Sequence, residues 1–333
     1  MLKDAGGQAI VAEISVTRGR FAPSPTGLMH LGGAAAALVC LASARTSGGC
    51  MILRIEDLDR ARVAAGDEDG IFDDLAWLGL CFDEGPWEGG ACGPYRQSER
   101  GHLYDAAIER LASRGLTYFC DCSRAEIARA ASAPHVGEEG PRYPGTCRSE
   151  GMRARPFRRP PAVRLAVPAG ARGRYDDVRA GSIEEDVASS AGDFVLRRGD
   201  GVHAYQLAVV VDDLAMHITE IVRGADLASS APRQALLAEL LGGVLPKVLH
   251  VPMLVGQDGE RLAKRSRGVP LRDHRARRPA EVVRALAFAY GHPLEVSAEA
   301  SLVDVLDVWC RAFDPARLPN SDVSIALVES ALS

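Results

Sequence analysis

Lysine is scarce in this chain of 333 residues: Lys3, Lys247 and Lys264 are the only ones among 39 basic residues. A lysine in a polar loop therefore stands out, because it offers a compact point charge where arginine offers a planar fork. No G-x-x-x-x-G-K-[ST] run occurs, which excludes a P-loop as a phosphate cradle. Long hydrophobic runs are also missing. The longest apolar stretch, Leu31 to Ala44, is 14 residues and too short to span a bilayer, so no membrane partner is expected. Met1 to Thr17 lacks the basic-then-hydrophobic order of a signal peptide. The eight cysteines show no regular pairing and suit a reducing cytoplasm, the expected location, better than a disulfide scaffold. A global positive field is absent too, with net charge -5. Basic groups are nevertheless clustered: ten arginines against three acids over residues 142–179, and eight basic residues against one acid over 261–278. Local contact with nucleic acid stays open on that ground.

What is present is enough apolar residue, 47%, for a large core and about two domains. Strand patterns at 18–22 and 50–55 alternate with helical ones at 31–45, 71–78 and 100–114. That alternation argues an α/β fold with a parallel sheet. Residues 116–190 break it: they are rich in Arg, Pro and Gly and read as an inserted subdomain. Apolar segments return over 193–211, read as strands broken by polar residues, then a strand at 218–223 and a proline-started helix at 232–241. The expected organisation is an extension over 1–17, the first half of a nucleotide-binding domain over 18–115, the insert over 116–190, and the second half over 191–245. A lysine loop and short helical tail follow over 246–333, with helices at 279–290 and 302–313.

Arg20-Phe21-Ala22-Pro23-Ser24-Pro25-Thr26-Gly27-Leu28-Met29-His30-Leu31-Gly32-Gly33 reads as strand, turn, helix start. A helix N-terminus with small residues at 32 and 33 suits a phosphate, and His30 could donate to one. The polar segment 259–266 carries Lys264, which could close over the same phosphates. Arg54-Ile55-Glu56-Asp57 follows a strand, where a carboxylate either caps the next helix, sits in solvent, or holds a substrate ammonium. Cys120, Cys122 and Cys147 with Tyr143 form a candidate zinc site, with His135 as a competing fourth ligand and three buried structural cysteines as the plainer alternative. Tyr205 and Arg223 are candidates to face a ligand or simply to satisfy a sheet edge; an arginine can hold a carboxylate through two parallel bonds.

In this order the pieces resemble the catalytic half of the class I glutamyl-tRNA synthetases. The match runs through Arg20–Pro25, His30–Gly33, Leu53–Asp59, Tyr95–Ser98, Asp193–Arg197, Val222–Asp226 and Arg261–Lys264. Only about 55 residues follow the lysine loop, too few for a helical anticodon-binding domain. That truncation, with Cys120-x-Cys122, Tyr143-x3-Cys147 and Tyr205–Asp213, looks like the glutamyl-Q tRNA(Asp) synthetase family. Arg261 and Ala263 depart from the usual lysine and serine of the second signature, and the gap from Cys122 to Tyr143 is longer than the family norm.

The resemblance implies a class I, Rossmann-type catalytic domain with an inserted zinc-containing subdomain and a short C-terminal helical subdomain. It implies an enzyme that activates L-glutamate with ATP and Mg2+ to glutamyl-adenylate without tRNA. The glutamate would then pass to the queuosine base at the wobble position of tRNA(Asp), the enzyme acting as a cytoplasmic monomer. It assigns Arg20, Phe21, Ala22, Pro23, Ser24, Glu56, Tyr205 and Arg223 to glutamate, with Glu56 on the ammonium. His30, Gly32, Gly33 and Lys264 fall to ATP, with His30 and Lys264 catalytic, and Cys120, Cys122, Tyr143 and Cys147 to one structural zinc. Two alternatives remain: a truncated synthetase charging tRNA(Glu) at its 3′ end, and an inactive zinc-stabilised RNA-binding module.

Overall fold

The computed structural model describes residues 16–130, 142–150, 156–257, 259 and 269–333. Its main sheet has six strands in the order β2-β1-β8-β9-β5-β6. These are β1 (Arg18–Phe21), β2 (Cys50–Leu53), β5 (Arg172–Asp177), β6 (Gly181–Asp186), β8 (Glu220–Gly224) and β9 (Lys247–Val251). The strands β2, β1, β8 and β9 run parallel, with Phe21 opposite Leu53 and Arg223 opposite His250. Side chains alternate across a strand, so neighbours face opposite ways. Val222 accordingly enters one core and Ile221 the other, and the sheet is covered on both faces, as a parallel sheet requires.

On the first face lies α1 (Leu31–Thr46), rich in alanine and buried along most of its length. Its small side chains let it sit between the sheet and the helix Leu302–Ala312, whose Trp309 donates from Nε1 to the Leu38 carbonyl at 2.9 Å. The helices α3 (Gly101–Ser113), α7 (Tyr205–Ala215) and α8 (Ala231–Leu240) supply the second core. Gly173 lets β5 meet α8 backbone to backbone, since a Cβ there would lie 2.0 Å from the Pro232 carbonyl oxygen. Helices Pro279–Ala289, Leu302–Ala312 and Ile325–Leu332 follow near the C-terminus, the first two where helices were expected.

A second, antiparallel sheet has the order β3-β4-β7, from Thr117–Cys120, Ala162–Leu165 and Val195–Arg197. Composition did not reveal how the two sheets divide the chain. The β5–β6 hairpin, within 116–190, extends the main sheet, with Asp177 of β5 paired to Val248. The strand β7, beyond 190, completes the small sheet. The reading of 193–211 as broken strands holds for Val195–Arg197 and is corrected beyond it: Tyr205 opens a helix. Gln206 through Asp213 are all buried, and a helix enclosed on every side has no polar stripe to set a 3.6-residue period.

No helix among the described residues is long and apolar enough to cross a membrane.

Candidate functional site

The site forms at the C-terminal ends of the parallel strands. Past β1 and β2 the backbone pairing continues, with Arg54 N–H donating to the Phe21 carbonyl and Glu56 N–H to that of Pro23, both at 3.0 Å. This draws Glu56 beside the Arg20–Ser24 turn. The first turn of α7 adds Tyr205, and β8 adds Arg223.

Beneath them is a buried ionic network. The Asp213 Oδ1 accepts from Arg54 Nη1 at 2.6 Å and from Arg20 Nε at 3.3 Å. Arg54 Nη2 donates to Glu56 Oε1 at 3.1 Å, and Arg20 Nη1 to the Val222 carbonyl at 3.1 Å. Adjacent Asp212 accepts from Arg100, Gln97 and Tyr104. Burial opposes ionisation of Asp213, but Arg54 and Arg20 outweigh it and hold the carboxyl below its ordinary range. At Glu56 burial wins and the carboxyl is pushed up, against the pull of Arg54 and Arg20. Burial, then the Glu56 charge, pushes the Tyr205 phenol up. Burial weakens the hold of Arg223 on its proton, and Arg20 adds to that. A small zwitterion fits this chemistry: a carboxylate for its ammonium, and arginines for its acids.

His30 caps α1 in extended geometry, and its buried Nδ1 has no hydrogen-bond partner among the described residues. Leu31 N–H donates to the Val269 carbonyl, Leu271 N–H to the Met29 carbonyl, and His30 bridges Pro270. A Cβ on Gly32 would touch Leu254 at 3.5 Å, and one on Gly33 would touch Met29. Residues on both sides of 260–268 thus pack on the His30 turn, which carries no acid in its first helical turn. Lys264, Arg261 and Ala263 themselves lie outside the described residues, as does His135.

At the small sheet, the sulfurs of Cys120, Cys122 and Cys147 lie within 4.8 Å of one another. The Tyr143 hydroxyl is 3.4 Å from the Cys120 sulfur and 3.8 Å from that of Cys122, and accepts from Cys147 N–H at 2.7 Å. Burial raises the Cys122 thiol to about 12, with Cys147 adding to it. At Cys120 burial is outweighed by Tyr143 and Arg164, which lower it. Three sulfurs and one oxygen converging on a point fit a tetrahedral zinc ion.

A cleft of about 1030 Å³ joins the two places, running from Ser24, Glu56 and Tyr205 to Cys122 and Tyr143.

Residues 16–286 match the profile of the class I tRNA synthetases for glutamate and glutamine, catalytic domain. The glutamyl-Q tRNA(Asp) synthetase of Nitratidesulfovibrio vulgaris is 50% identical over 259 residues, which cover 77% of this chain and 80% of that protein. The protein of that name from Symbiobacterium thermophilum is 46% identical, over 92% of this chain and 97% of its own. The chain belongs to the glutamyl-Q tRNA(Asp) synthetase family. Among solved structures, a glutamate tRNA ligase from Elizabethkingia meningosepticum in complex with its amino acid superposes with a TM-score of 0.79. It is 26% identical, over 95% of this chain and 68% of that one.

The glutamyl-Q motifs accounted for Arg20, Glu56, Tyr205 and Arg223, which the fold brings to one end of the sheet. Sequence reasoning assigned no role to Arg54, Asp213, Gln234, His250 or Asp177. One signal was available for Asp213. Two adjacent carboxylates directly after the apolar run Val209–Val211 are enclosed if the run is helical, and enclosed carboxylates need buried cations.

Proposed function

We propose that the protein activates L-glutamate with ATP, giving glutamyl-adenylate and pyrophosphate without tRNA. It then transfers the glutamate to the queuosine base at the wobble position of tRNA(Asp). The observation that carries this reading is the set of buried Arg20 and Arg223 with half-buried Glu56 and Tyr205 at the strand ends, in a chain of this family. Glu56 would hold the ammonium, and Arg20 and Arg223 the carboxylates. The turn Phe21-Ala22-Pro23-Ser24 would line the same pocket. The free glutamate carboxylate attacks the α-phosphorus of ATP, and pyrophosphate leaves. No side chain needs to act as nucleophile; the chain holds the reactants together and neutralises developing charge. His30, Gly32 and Gly33 would line the triphosphate site, Lys264 would meet the phosphates, and ATP would bring its own Mg2+. Cys120, Cys122, Tyr143 and Cys147 would hold one zinc, which supplies a cross-link beneath the small sheet and no step of the reaction.

ATP-dependent transfer of labelled glutamate to tRNA(Asp) bearing queuosine or guanine at the wobble position tests the reading. Label on the queuosine form alone is the expected result. Label on tRNA(Glu) at its 3′ end, or no glutamate-dependent pyrophosphate exchange, would overturn it.

A further inference from the structure

Arg223 is only 5% exposed on β8, yet among the described residues it forms no ion pair with a carboxylate. Its hydrogen-bond acceptors are neutral. Nη1 donates to Gln234 Oε1 at 2.5 Å, and Nε to His250 Nε2 at 3.4 Å. Its remaining terminal nitrogen, Nη2, is buried without an acceptor in hydrogen-bonding geometry among the described residues, and the other polar group beside the guanidinium is the Tyr205 hydroxyl, also neutral. The tautomer of His250 follows from its neighbours. A guanidinium can only donate, so Nε2 must accept, and Nδ1 then carries the hydrogen toward Asp177 Oδ2 at 2.8 Å. Asp177 is itself fixed by the backbone N–H groups of Arg179 and Ala180, both at 2.9 Å. The relay crosses three adjacent strands: Arg223 and His250 are direct partners of β8 and β9, and Asp177 is the residue that joins β5 to β9.

We infer that Asp177, His250 and Gln234 are positioning residues that hold Arg223 by neutral acceptors, so that its charge and its free Nη2 are reserved for a carboxylate of the substrate. This rests on reading the pocket as a glutamate site. Neutral acceptors fix the direction of the guanidinium without neutralising it. A buried cation left in that state favours a ligand that brings a negative charge. A carboxylate completes the site; the isosteric amide of glutamine leaves the charge unpaired. The device accounts for the β5–β6 hairpin joining the main sheet, because that hairpin delivers Asp177.

Glutamate-dependent ATP–pyrophosphate exchange by the full chain tests the inference, with KM for glutamate, KM for ATP and kcat measured separately. His250→Ala and Gln234→Ala remove acceptors from a charged donor and should each raise the glutamate KM roughly tenfold or more, with the ATP KM unchanged. His250→Gln restores a neutral acceptor and should recover most of the loss, which a merely structural role would not produce. Asp177→Asn keeps the fold's oxygen and should give a smaller rise in the same constant. Glutamate KM values within twofold of wild type in His250→Ala and Gln234→Ala, or equal rises for glutamate and ATP, would overturn the relay. If wild-type protein shows no exchange, the activation reading falls, and calorimetric titration with L-glutamate and L-glutamine tests the relay alone. Equal affinity for the two amino acids would then refute it.

Discussion

Replacing Asp213 by alanine removes a carboxylate shared by two buried guanidinium groups, those of Arg54 and Arg20. Asp213 and Arg54 are 1% and 0% exposed in their side chains, and Arg20 is 4%. After the change Arg54 keeps Glu56 and, at 3.9 Å, Asp212, but among the described residues Arg20 keeps only the Val222 carbonyl. Breaking a buried pair from one side costs about 3–5 kcal/mol, because the desolvated charge stays behind. The surviving Glu56 contact favours the lower end, about 3 kcal/mol. Asp213→Asn keeps an acceptor oxygen but not the charge, and should cost about half as much. Urea unfolding at neutral pH gives both values. The pH dependence adds a sign. Asp213 ionises more readily in the folded protein, so its contribution is complete above the unfolded value of about 3.9 and is lost as pH falls through the lower folded value. The gap between wild type and Asp213→Asn should therefore narrow below about pH 4. A loss under about 0.5 kcal/mol in Asp213→Ala, the size of an ordinary surface substitution, would refute the network as a source of stability.

The purified protein should carry one zinc per chain by elemental analysis, and Cys122→Ser should lose it. Chelation should lower the melting temperature while leaving most glutamate-dependent pyrophosphate exchange, because the cysteine cluster forms a small core separate from that of the main sheet; unchanged melting with chelator would refute the site. Lys264→Ala should slow adenylate formation by roughly 10²–10³, the usual effect of removing one preorganised donor. Near wild-type rates would sink the role proposed for this lysine.

Local chemistry made part of the molecule legible in the sequence. The strand at Arg18–Phe21 and the helix from Leu31 follow from a short apolar run, a Pro/Gly turn and a small-residue stretch, all read within a few residues. The triad of cysteines was legible because its spacing is local within each pair, and only the closing of β3 against Cys147 is tertiary. Arg54 was not legible as a network residue. It lies among Leu53 and Ile55 with nothing nearby to say that its partner is Asp213, 159 positions later. Helix α7 was misread for a related reason, since burial on all sides removes the polar stripe that marks a helix. The β5–β6 hairpin was hidden by composition: Arg172, Arg174 and Glu184 decorate its exposed face, so it reads as polar insert although Tyr175 and Asp177 are buried.

The same hairpin links the two sheets in a way that neither sheet alone requires. The chain leaves the small sheet after β4, forms β5 and β6 on the edge of the main sheet, and returns to the small sheet at β7. On the way back Asp193 is tied to Tyr118, to Val167 N–H and to Arg148, so the return point is fixed on the cysteine side. On the way out Asp177 is fixed beside His250 and Arg223. One excursion therefore ties the strand ends that carry Arg223 and His250 to the small sheet that carries the cysteines. Sheet pairing holds Asp177 at the Arg223 end, and side-chain bonds hold Asp193 at the end where three thiols meet. A substrate spanning the cleft would meet two surfaces joined by an antiparallel ladder of six residue pairs, Arg172 opposite Asp186 through Asp177 opposite Gly181, and by the turn between them. Residues 116–190 thus contribute to both sheets, with β3 and β4 at the cysteine end and β5 and β6 on the edge of the main sheet.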